Sequence, residues 1–195
     1  MQQKGRSMVE MLGVLAIIGV LSAGGLAGYH QAVAKHRLNV WGEQVQQTLM
    51  NLYELCKGDS ECNSSNNISL KNIVPEGFLK KPYNNRLGYD IYGNSWQMNP
   101  LGFSLRLGGT QYQQNENVIS FTCPKLLEIL KESRIYQIRI WSRLGAIYIN
   151  STSNCNVYTC LSFDDLTKDK LLKICESLTS EDNEENDTIW YFYFN

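Results

Sequence analysis

Few side chains in this 195-residue sequence have the types and spacings that do chemistry. Glu10 is the first, a carboxylate at the threshold of the apolar run GRSMVEMLGVLAIIG. An acidic side chain costs about 2.5–3.5 kcal/mol at the centre of a membrane span and less near its edge. A residue kept at such a cost implies a use, and in low dielectric a carboxylate is tolerated where a positive charge meets it. Six cysteines come next: Cys56, Cys62, Cys123, Cys155, Cys160 and Cys175. All follow the apolar run, and none is spaced as the C-x-x-C of zinc ribbons or thioredoxin-like motifs. Disulfides in an oxidising compartment are expected, with buried free thiols as the alternative.

Other chemistry is thinly represented. His30 and His36 fall on different faces of a helix, no nucleophile has a partnered base, and neither a phosphate loop nor a metal-ligand spacing is present. Asp164, Asp165 and Asp169 lack the loop glycine and closing glutamate of an EF-hand, and helix capping accounts for the first two. The expectation is therefore no catalysis, no metal and no cofactor. The formal net charge is −1 and the basic residues cluster only at Lys35, His36 and Arg37, which argues against nucleic acid as a partner.

The elements that must position Glu10 begin with a span. From Met11 to Tyr29 every side chain is apolar or small apart from Ser22, giving roughly 28 Å of helix, close to the thickness of a bilayer core. A removed secretory signal is the rival: Lys4 and Arg6 make a basic start, and Ser22 to Ala27 a small-residue cleavage region. Against it stand the cost of Glu10 and the stretch that follows. His30 to Cys56 has no proline and carries Val33, Leu38, Trp41, Val45, Leu49, Leu52 and Leu55 or Cys56 at helical spacing. The span runs into an amphipathic helix. Basic residues flank both ends of the span, so the cysteines decide its orientation and place the C-terminal part outside the cytoplasm. Gly24 and Gly28 form a G-x-x-x-G of the kind that lets membrane helices pack closely.

Beyond Cys56 the chain reads as a small α+β domain. KGDSECNSSNNIS is a polar loop, and the turn-prone PYNNRLG, YGN and NPLG separate short aromatic runs. Phe103 to Leu107, Val118 to Phe121, Ile135 to Trp141, Ala146 to Ile149 and Ile189 to Phe194 read as strands of an antiparallel sheet. Pro124 is expected in the first turn of a short helix through Leu126, Leu127 and Leu130. SFDDLTKDKLLKICESL gives a second helix capped by Asp164 or Asp165, followed by the acidic linker SEDNEEND. Pairing Cys56 with Cys62 and Cys155 with Cys160 would close short loops, although sequence does not choose among the possible pairings.

Lys4, Gly5, Arg6, Ser7, Met8, Val9 and Glu10, followed by an apolar helix, resemble the N-terminus of type IV pilins and of type II secretion pseudopilins. The resemblance implies cleavage by a prepilin peptidase between Gly5 and Arg6, methylation of the new amino group at Arg6, and Glu10 as the fifth mature residue. In that family the glutamate neutralises the N-terminal amine of a neighbouring subunit, so helices enter a filament in register. Two residues depart from the family pattern: Arg6 stands where phenylalanine or methionine is usual, and Ala27 where many members carry a kinking proline. The order of the later elements resembles the type IVb branch, which implies a bridge from Cys123 to Cys175.

The implied organisation is a leader at 1–5, a membrane-spanning half of the helix at 6–29, an amphipathic half at 30–56, and an antiparallel-sheet domain at 57–195. The implied protein is a structural subunit, major or minor, of a type IV pilus-like filament. It would sit in the bacterial inner membrane with its C-terminal domain outside the cytoplasm before entering an extracellular pilus. Its partners would be other pilin subunits, the peptidase, an inner-membrane assembly platform and, before assembly, membrane lipid. A pseudopilin, a single-pass anchored binding or sensor module, and a secreted disulfide-rich protein are the alternatives.

Overall fold

None of the four prolines falls between Met8 and Cys56, and those residues form one uninterrupted helix, α1. The structure, a computed structural model, describes residues 8–57, 68–81, 83–99, 102–110, 113–133, 137–142, 145–150, 160–163, 166–178 and 189–193. Gly5, Arg6, Cys62, Cys155, Asp164, Asp165 and the acidic linker lie outside them, as does the side chain of Cys160. The chain divides into two compact units, Met1–Val40 and Trp41–Asn195.

In the first unit α1 presents apolar side chains to the outside all round: Met11, Leu12, Val14, Leu15, Ile17 and Ile18 are all exposed. Its most apolar eighteen-residue window has a mean hydropathy of 2.1 with none of it buried, so the helix is long and apolar enough to cross a membrane.

The second unit opens with the rest of α1. Trp41, Gly42, Val45, Thr48, Leu49, Leu52 and Cys56 are buried on one face, while Leu55 is exposed, which resolves the choice between Leu55 and Cys56. There follow α2 (Leu70–Ile73), β1 (Leu87–Tyr89), β2 (Ser95–Asn99), β3 (Gly102–Arg106), the ribbon β4 (Gly109–Thr110) and β5 (Gln113–Gln114), and α3 (Glu116–Glu132). The chain continues with β6 (Gln137–Ser142), β7 (Gly145–Asn150), β8 (Cys160–Ser162), α4 (Lys168–Leu178) and β9 (Ile189–Tyr193).

The main sheet has seven strands in the order β1-β2-β3-β9-β6-β7-β8. The apolar Trp96, Met98, Phe103, Leu105, Ile138, Ile140, Ile149, Trp190 and Phe192 recur along it at every second position and turn one face to the core, while the small Ser95 and Ser104 are buried on the other face. Ring contacts continue through that core from Phe78 to Trp96 at 5.1 Å, to Phe103 at 5.5 Å and on to Phe192 at 5.8 Å.

Three expectations need correction. The sheet is mixed, because β7 and β8 pair in parallel; alternation of apolar and polar residues reads the same in either chain direction and carries no information about it. Val118 to Phe121 is helix, not strand. Asn115 caps α3 by accepting from the amides of Asn117 at 3.0 Å and Val118 at 3.4 Å. Ile119, Cys123, Leu126, Leu127 and Leu130 then bury one helical face. Pro124 is therefore inside the helix and not in its first turn. The carbonyl its ring leaves unbonded belongs to Ser120, which is exposed and open to water.

Cys123 on α3 and Cys175 on α4 form a disulfide with 5.8 Å between their Cα atoms. A closure of this length, 52 residues, stabilises by about 4 kcal/mol in the chain-entropy account. Cys56 is disulfide-bonded as well.

Candidate functional site

Of the residues that sequence singles out at the N-terminus, Glu10, Gly24 and Gly28 lie on α1. Glu10 is exposed in its first turn, where a carboxylate favours the positive end of the helix dipole. Gly24 and Gly28 lie one turn apart, and a Cβ built on either would meet nothing within 4 Å. These glycines are not explained by packing inside this chain; the smooth strip they make on α1 is open. His30 stands beside Tyr29, with ring centres 6.2 Å apart in an edge contact, and His36 is exposed.

The second unit is organised around a residue that sequence reasoning missed. Asp90 is fully buried in the turn between β1 and β2. Its Oδ2 accepts from Trp41 Nε1 at 2.6 Å, Trp96 Nε1 at 3.0 Å and Asn94 Nδ2 at 2.9 Å. Its Oδ1 accepts from the backbone amides of Tyr92 at 2.9 Å and Asn94 at 3.0 Å. Among the described residues neither lysine nor arginine takes part, and neutral donors meet the carboxylate where water is excluded.

Each donor comes from a different structural constraint. The turn is closed by the Gly93 amide on the Asp90 carbonyl at 3.0 Å, with Gly93 at φ 83°. Asn94 is buried too, and its Oδ1 accepts from the Gly108 amide at 2.8 Å. Gly108, at φ 80°, accepts from the Asn115 amide at 2.8 Å, which fixes the cap of α3. A Cβ at Gly108 would come within 2.8 Å of the Asn115 carbonyl oxygen, so the position admits glycine alone. Trp41 thus fastens the C-terminal part of α1 to the β1–β2 turn, and through Asn94 and Gly108 the turn is tied to α3. Tyr92 adds ring contacts to Trp41 at 6.0 Å and to Phe121 at 5.6 Å. At Gly42 the approach of α3 to α1 is close: a Cβ would sit 3.3 Å from Ile129 Cδ1.

With both carboxylate oxygens accepting hydrogen bonds and the side chain wholly buried, Asp90 serves as an anchor. The signals for it were a turn-forming Asp with Gly93 and Asn94 behind it, and buried tryptophans whose indole N–H groups needed acceptors. Among the described residues no group of three or more His, Cys, Asp or Glu is placed to hold a metal ion. A surface depression of about 460 Å³ is lined by Lys71, Tyr83, Asn84, Asn85 and Arg86 and holds no carboxylate, thiol or imidazole.

Compared with protein-family models, curated proteins and solved structures, the chain matches none. What the fold defines is a class: an α+β protein with a long apolar N-terminal helix and a small mixed sheet bearing a disulfide.

Proposed function

We propose that this protein is a pilin-like structural subunit of a type IV pilus-like filament, cut by a prepilin peptidase between Gly5 and Arg6 and polymerised through α1. One observation carries the reading. A helix that begins with Glu10 in its first turn exposes an apolar surface and an open glycine strip from Met11 to Tyr29, and its continuation from Trp41 to Cys56 forms part of the core of a sheet domain. Such a helix is serviceable in two settings, lipid before assembly and neighbouring copies of itself afterwards. Glu10 takes the N-terminal amine of the neighbour, Gly24 and Gly28 let helices approach, and the Asp90 anchor keeps the C-terminal part of α1 seated on its domain. The work done is polymerisation and not catalysis. The domain lies outside the cytoplasm, where disulfides persist.

Intact mass of the mature chain tests the cut. Loss of Met1–Gly5, with or without one methyl group, is expected, whereas a mature chain beginning beyond Ser22 overturns the proposal. Glu10→Ala should leave cleavage unchanged and abolish or severely reduce filaments; normal filaments from that variant would remove the charge-pairing role.

A further inference from the structure

Among the described residues, the outer face of the sheet holds a cation with no counter-ion. Along β6, Gln137, Arg139 and Trp141 alternate with the buried Ile138 and Ile140 and therefore share the face turned away from the core. Arg139 stands opposite Tyr148 on β7 and Tyr191 on β9. Its guanidinium carbon lies 4.5 Å from the centre of the Trp141 ring and 4.9 Å from that of Tyr148. Both distances are inside the range, to about 6 Å, over which a cation is drawn to an aromatic face. The side chain is thus held in place by rings: among the described residues no hydrogen bond or ion pair reaches it, and Nε is buried without a partner. Holding the fork in one orientation leaves its remaining N–H groups without an acceptor among the described residues and ready to meet one from a ligand.

Trp141 supplies the second half of a site. It is 45% exposed, whereas Trp41, Trp96 and Trp190 are wholly buried. The guanidinium covers part of the indole, and the exposed remainder is available to a ligand. We propose that Arg139, Trp141 and Tyr148 form a binding site for an acidic saccharide, a uronate or similar sugar whose ring lies on Trp141 and whose carboxylate pairs with Arg139. The C–H face of a pyranose is slightly positive and complements the negative face of an aromatic ring. A carboxylate meets an arginine fork with two parallel hydrogen bonds. The charge count selects a saccharide over a nucleic acid or an anionic bilayer, which draw on several cations at once. Among the described strand residues on this face the next cation is Arg106, on β3, two strands away.

The burial of the other tryptophans provides the readout, since acrylamide quenching of intrinsic fluorescence reports on Trp141. Full-length protein, in a detergent without a sugar headgroup, is titrated with a galacturonate trisaccharide, the uncharged galactose trisaccharide, sulfate and oligoglutamate. Saturable protection by the galacturonate alone is expected, weakened about tenfold or more in Arg139→Gln, as loss of a charge-assisted hydrogen bond implies. Arg139→Lys keeps the charge without the fork, should weaken binding several-fold, and carries the test if Arg139→Gln loses its native near-ultraviolet circular dichroism. Absence of protection overturns the proposal, as does equal protection by the neutral sugar, sulfate or oligoglutamate, or unchanged affinity in the arginine variants. Without any sugar, iodide should quench Trp141 more efficiently than caesium; equal quenching shows that the cation does not govern the exposed indole and overturns it too.

Discussion

The two stretches of α1 are built from similar apolar side chains yet meet opposite surroundings. Val20 and Leu21 are 74% and 68% exposed, while Trp41 and Val45 are fully buried. Apolar composition alone therefore does not say where a side chain will be; what matters is whether the chain brings a cover. From Trp41 onward the cover is the chain's own sheet domain, with an acceptor for the indole N–H supplied at Asp90. From Met11 to Tyr29 no described residue supplies one; on the proposed reading the cover is lipid or neighbouring copies of the helix.

Substitutions on either side of Val40 break or sharpen this contrast, read by chemical denaturation of the full chain in detergent micelles. Trp41→Ala should have the largest effect, about 5 kcal/mol, because it opens a cavity and removes the closest donor to Asp90. Leu21→Ala should change the stability of the sheet domain by less than about 0.5 kcal/mol, and a loss comparable to that of Trp41→Ala would erase the contrast. Replacing Cys123 and Cys175 by serine should cost about 4 kcal/mol in the same assay while leaving membrane association of the chain unchanged. Asp90→Ala, which leaves buried indole and amide donors without an acceptor, should cost about 3 kcal/mol; Asp90→Asn, which keeps one acceptor oxygen, should cost less. As small for stability as Leu21→Ala is Gly24→Leu, within about 0.5 kcal/mol, although the bulk it adds to the open strip should reduce helix association measured by cross-linking.

Much of the architecture was legible because it rests on periodicity. The long helix, the buried stripe from Trp41, the strands at 102–106, 137–142, 145–150 and 189–193, and the helix carrying Cys175 follow from apolar residues recurring at the spacing of a helix or a strand. The misreading of Val118 to Phe121 has a definite cause: ENVISFTC offers a short β-branched and aromatic run. Only the cap at Asn115 and the later partners Leu126, Leu127 and Leu130 reveal the helical period. Pro124 reinforced the error, since proline is expected at a helix start and here sits where an exposed turn tolerates it.

The site was less legible than the fold. Glu10 could be found because a charge in an apolar run is anomalous by itself. Asp90 is unremarkable in sequence, and its role depends on donors drawn from Trp41, 49 residues away, and from Trp96, six residues away. Arg139 likewise reads as an ordinary outward residue of a strand, and only the register that sets it beside Tyr148 together with Trp141 shows it to be a cation fixed by rings.

By itself, then, the sequence determined most of the longer elements, the apolar span and the charge at its threshold, because each of these is a local pattern of hydrophobicity along one chain segment. Tertiary structure decided the parallel pairing of β7 with β8, the central place of β9 between β3 and β6, and the acceptor chosen by two buried indoles. Those outcomes depend on which distant segments share a core, and a buried polar group takes its partner from whatever that core brings within hydrogen-bond reach.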